Sequence, residues 1–134
     1  MPLILTLYLA TLIPFLILDA IMITFVTKPL FDQHIGYLMT NLRPAPAAAF
    51  YLLYIAGLIY LVSLPAVKTG SAILIPAAVI GFMAYGTYEF TSYAIMKDWT
   101  FRMLATDLIW GTALTAASTW IGVVLTRMIF KGSL

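Results

Sequence analysis

Long apolar runs separated by short polar intervals are the dominant pattern of this chain. A bilayer core takes about 20 apolar residues per helix. Four runs reach that length, at about residues 3–26, 45–64, 72–96 and 101–130. Pro14 sits in the middle of the first, and Thr27-Lys28-Pro29 closes it. Pro65 stops the second, and the short turn that follows, holding Lys68, makes the second and third runs antiparallel neighbours. Lys97-Asp98-Trp99-Thr100 is a tight polar turn, with Trp99 placed to anchor in the headgroup layer. The interval at about 29–44 carries its own periodicity. Leu30, Phe31, Ile35 and Leu38 share a stripe opposite Asp32, Gln33 and Asn41, as in a short helix lying in the interface, where His34 is a solvated residue. The pattern therefore predicts an all-α, integral membrane four-helix bundle. It has a short interfacial helix between the first and second spans, and residues 1–134 form a single membrane domain.

Composition narrows the class further. The chain is 63% hydrophobic and 9% charged, against about 25% charged in soluble domains. Too little polar surface exists to coat a globule in water. The net charge of +2 is spread over the connections, so nucleic acid is not an expected partner. The absence of cysteine removes disulfides, thiolate metal sites and cysteine nucleophiles. No histidine pair has helical metal spacing and no glycine-rich phosphate loop follows a strand, so neither a metal nor a cofactor is expected. No serine has a histidine in its own span for nucleophile–base catalysis, and no catalytic residue is assigned.

The informative residues are the acids inside the apolar runs. Asp19, Glu89 and Asp107 each fall within a span. A carboxylate at that depth costs at least roughly 2.5–3.5 kcal/mol on insertion scales, which makes it a functional-site candidate. Four spans put both termini and the second connection on one face, A, and the first and third connections on the other, B. At a rise of ~1.5 Å per residue the three acids lie roughly 12, 12 and 8 Å below face B. Tyr51 and Tyr54 reach comparable depth on the second span. Tyr85, Tyr88, Glu89 and Ser92 belong to one polar stretch of the third, and Asp107, Trp110, Gly111, Thr115 and Ser118 form one stripe of the fourth. With no lysine or arginine in the middle of the spans (Arg102 and Arg127 lie at the ends of the fourth), three carboxylates cannot all be ionised unaided in a low dielectric. At least one carries its proton at neutral pH, or a cation occupies the site. The small residues Ala47-Ala48-Ala49, Ala113, Ala116, Ala117 and Gly122 suit close helix approach.

Four short patterns, taken in order, resemble a known family. They are Leu18-Asp19, Phe50-Tyr51-Leu52-Leu53-Tyr54 with Gly57, Tyr85 to Ser92, and Asp107-Leu108-Ile109-Trp110-Gly111-Thr112. Together they span nearly the whole chain, which resembles the small four-span bacterial membrane proteins of domain of unknown function 2177. Glu89 stands where that family usually has aspartate, Ser92 where it has asparagine, and Met22 where a tryptophan often follows the first acid. The resemblance implies a multi-pass protein of the bacterial inner membrane. It carries no activity with it.

Three functional classes follow from the residues. In the first, an acidic, tyrosine-lined intramembrane pocket binds or transports a small molecule or cation with proton coupling. Its ligand- or proton-binding residues are Asp19, Glu89, Asp107, Tyr51, Tyr54, Tyr85, Tyr88, Ser92 and Trp110. The expected partners are the lipid bilayer and a small cationic or amphipathic ligand, with a homo-oligomer compatible. In the second, less favoured, paired carboxylates act as acid and base on a lipid or isoprenoid. In the third, the protein is a structural or accessory subunit whose acids only hold helices together.

Overall fold

A computed structural model describes residues 2–132. Among them the chain is helical almost throughout, with no strand. Helix α1 spans Leu3–Met22, α2 Lys28–Ile35, α3 Pro44–Leu58, α4 Leu64–Thr69, α5 Leu74–Ile95 and α6 Phe101–Ile129. Wide, π-type turns, Ile23–Thr27 and Ile59–Ser63, join α1 to α2 and α3 to α4.

Both wide turns come just before a proline, Pro29 and Pro65. A proline inside a helix lacks its N–H and its ring collides with the carbonyl four residues earlier, here Phe25 and Leu61. Widening the turn moves that carbonyl aside and absorbs the lost hydrogen bond. The sequence pattern predicts helix ends at these prolines; the helical path instead runs on through both. It finally stops at Gly70, whose positive φ of 73° suits glycine in a left-handed cap.

Three helical segments are long and apolar enough to cross a membrane: Leu3–Leu38, Pro44–Thr69 and Phe101–Ile129. Four such spans are expected from the sequence. Helix α5 has the length, at 22 residues. The polar stretch Tyr85 to Ser92 dilutes its apolar character. The outer surface is apolar: Ile13, Ile17 and Ile21 recur on one side of α1, and Leu53 and Ile95 are about three-quarters exposed. Such a surface is compatible with a membrane helical bundle.

Helix α6 is the centre of the fold. Thr100 caps its start, its hydroxyl accepting the Met103 N–H at 3.1 Å. It packs along α5 on one side and α1 on the other. Glycines permit the close α5–α6 approach. A Cβ on Gly81 would lie 2.8 Å from the Gly111 carbonyl oxygen and the Thr115 side chain. A Cβ on Gly111 would fall inside the Tyr85 ring. Phe15, Ile55, Leu58 and Leu114 form the main core beside it. Helix α3 is less embedded. Its first turns lean away, and Ala48 and Ala49, expected at a close helix contact, are exposed.

Two contacts establish the up-and-down arrangement. Arg127 of α6 donates to the Ala66 carbonyl of α4 at 2.9 Å, joining the chain's far end to the second connection on face A. At the opposite end, Tyr37 donates to Asp98, and Leu30, Phe31 and Ile35 of α2 pack on Trp99 and Met103. The α2 stripe predicted from periodicity is thus buried against protein, except Leu38, which is exposed.

Candidate functional site

All three acids of the apolar runs are buried: Asp19 is 6% exposed, Glu89 0% and Asp107 5%. A buried carboxylate needs donors, and here each donor comes from an aromatic ring. The Tyr51 hydroxyl of α3 and the Trp110 indole N–H of α6 donate to Asp19, the latter at 3.1 Å. The Tyr88 hydroxyl donates to Asp107 at 2.6 Å, and the Trp99 indole N–H to Glu89 at 2.9 Å. Tyrosine and tryptophan combine an apolar body with one donor, so they satisfy an acid without adding charge to the interior.

The acids fall into two neighbouring groups. Glu89 and Asp107 lie close together at the α5–α6 contact, for Tyr88, the residue before Glu89, donates to Asp107. Glu89 Oε2 is buried with no hydrogen-bond partner among the described residues. Asp19 stands apart, tied to the pair through α6. Its partner Trp110 lies one turn beyond Asp107. Among the described residues the one salt bridge is Lys28–Asp32, exposed and remote from the acids. No group of three acids and histidines has metal-ligating geometry among the described residues.

Other sequence-predicted residues divide. Tyr54 reaches this layer, but its hydroxyl pairs with Thr115 Oγ1 at 2.7 Å and not with an acid. Ser92 lies one turn past Glu89, half-buried, with no side-chain hydrogen bond to the acids among the described residues. Trp99 overturns its prediction as a headgroup anchor. It is 8% exposed, packs edge-on against Phe31 and Tyr88, and donates to Glu89. Its identity carries the missed signal, because an indole N–H beside a buried acid is a ready donor.

An apolar groove of about 320 Å³ opens beside the acids between α3 and α5, lined by Phe50, Ala84, Tyr85 and Tyr88. Phe50 stacks on Tyr54 with ring centres 5.1 Å apart. Tyr88 belongs to both places: its ring walls the groove and its hydroxyl holds Asp107. Its side chain therefore lies between the groove and Asp107.

The sequence pattern of a family described as predicted membrane protein, DUF2177, matches residues 4–124. No curated protein and no solved structure matches the chain.

Proposed function

The chain belongs to the DUF2177 family of predicted membrane proteins, and from that premise we propose a proton-exchanging binding site inside a four-span bundle. Its ligand is a small amphipathic cation that enters sideways through the α3–α5 groove. The bundle resides in the bacterial inner membrane, and α2 with Trp99 covers the site from face B at the level of the interface. The observation that carries this reading is Glu89, fully buried beside the Tyr88–Asp107 bond, with one carboxyl oxygen unpartnered and no salt bridge to it among the described residues.

In the empty state one proton is shared by the pair. A cation settling among the rings of Phe50, Tyr85 and Tyr88 gains from their π faces. It stabilises the ionised pair, and the proton leaves. Asp19 is already held by two donors and serves as the fixed negative charge behind Tyr85. Tyr88 must turn for the cation to reach Asp107, which makes it the gate.

The test uses the full chain in lipid nanodiscs, titrated with tetraphenylphosphonium. Saturable binding should release about one proton per cation in weak buffer, the direction that linkage requires. Glu89→Gln should abolish the release and weaken binding while leaving the helical content unchanged. Binding without proton release, or no saturable binding at all, would overturn the proposal.

The groove also favours a second reading. An apolar side opening next to paired carboxyls, one protonated and one ionised, fits acid–base chemistry on a lipid or isoprenoid. A lipid profile altered on deletion, and restored by wild type but not by Asp107→Asn, would favour the enzyme. A purely accessory role gives no reason for the unpartnered oxygen of Glu89.

A further inference from the structure

A polar line runs the length of α6 beyond the acids. Asp107, Gly111, Thr115, Ser118, Gly122 and Thr126 recur at intervals of three or four residues, and all six are buried. At ~1.5 Å per residue this line covers roughly 28 Å, close to the ~30 Å hydrocarbon thickness. It starts at the carboxyl pair and ends at face A, beside Arg127.

Two hydroxyls of the line are buried without a partner, a condition that Thr27 shares away from it. Thr112 and Thr119 of the same helix donate back to carbonyls one turn earlier, at 2.8 and 2.7 Å. Serine and threonine in helices commonly settle this way. Ser118 and Thr126 do not. Both are 0% exposed, and their hydroxyls have no hydrogen-bond partner among the described residues. Thr11 of α1 and Ser63 of the second wide turn share that condition. Thr11 points its Oγ1 at the bare face of Gly122, and the wide turn holding Ser63 packs on α6. The Tyr54–Thr115 pair occupies the step between these hydroxyls and the acids. A buried hydroxyl left unpaired is costly, and four beside one line point to a common occupant. No carboxylate lies among them, so a metal ion would lack a counter-charge. Water, which donates and accepts, matches hydroxyls that do the same.

We infer that this line is the wall of a hydrated proton path joining the Glu89–Asp107 pair to face A. Waters bridge Thr11, Ser63, Ser118 and Thr126. Each hydroxyl accepts one hydrogen bond and donates another, so a proton joining the chain at face A displaces one onto a carboxylate at the far end. Arg127 is the charge at the mouth; Asp107, Tyr88 and Trp99 are the groups that face Glu89 at the other end. The path deepens the proton-exchange reading and rests on it, because a gate on the groove side needs a separate route for the proton.

The experiment has two arms on the full chain in liposomes. The first is solid-state NMR transfer of magnetisation from water to side chains in the wild type. Ser63, Ser118 and Thr126 should receive it as quickly as surface residues do; if they are as slow as Leu7, Leu114 and Val123, the path does not exist. The second follows the carboxylic C=O band that Glu89→Gln removes, after a pH jump on face A. Thr11→Val combined with Ser118→Ala should slow protonation about tenfold, the effect of one lost hydrogen bond on the barrier. The equilibrium band height should not change. An unchanged rate would overturn the path. Failure of the binding reading looks different: wet hydroxyls and a slowed variant, yet no uptake of tetraphenylphosphonium by the wild type.

Discussion

The two sides of α5 are built on opposite plans. Toward α6 the helices interlock, with Gly81 against the Gly111 carbonyl, the Tyr85 ring on Gly111, and Trp99 bonded to Glu89 at one end. On the other side α3 stands off. The gap holds a groove of about 320 Å³, and the edge-on contact of Tyr54 with Tyr85 reaches across it. Each acid takes a donor from a ring, but only Asp19 takes one from the looser helix. The contrast teaches where motion is available. The α5–α6 contact is held by interlocked backbones, whereas only the first turns of α3, before the core residues Ile55 and Leu58, border the open groove.

Breaking the tight flank should have the largest effect. Gly111→Ala drives a methyl into the Tyr85 ring, and overpacking of that kind costs about 1–3 kcal/mol. Reversible unfolding in mixed micelles should register it; full tolerance would mean that the two flanks do not differ. Trp99→Phe comes next. It keeps most of the ring but leaves Glu89 Oε1 without its donor, at about 1–2 kcal/mol, measured in the same assay. On the open flank, Ala84→Trp should fill the groove and weaken tetraphenylphosphonium binding about tenfold, or 1.4 kcal/mol. Stability should barely move, and an equal loss on both counts would erase the distinction between scaffold and opening. The smallest effect belongs to Lys28→Ala, which removes an exposed i,i+4 pair. Less than about 0.5 kcal/mol is expected.

Much of this was legible in the residues, for a simple reason. An acid inside an apolar run is conspicuous, and helical spacing ties it to its neighbours on the same face. Asp19, Glu89 and Asp107, the tyrosines beside them, and the stripe of α6 stand out in that way. What crosses between helices did not stand out. Nothing in one window pairs Asp19 with Tyr51, and Tyr54 turns to Thr115 although its depth matches the acids. Trp99 looked like a surface anchor because aromatic residues at span ends usually are. Only its packing under α2 shows an indole turned inward. The prolines misled in the other direction. Their local preference is to end a helix, and a widened turn cancels it at the expense of one residue.

That extra residue has a consequence for the lid. With 3.6 residues per turn, one residue corresponds to roughly 100° of rotation. Deleting a single position within Ile23–Thr27 would return the turn to ordinary pitch and swing Leu30, Phe31 and Ile35 away from Trp99. The chain would keep its composition and nearly all its apolar length while exposing the indole above Glu89. Length is therefore under tighter constraint in those five positions than side-chain identity is, and a family-wide tolerance of substitution there need not extend to a gap.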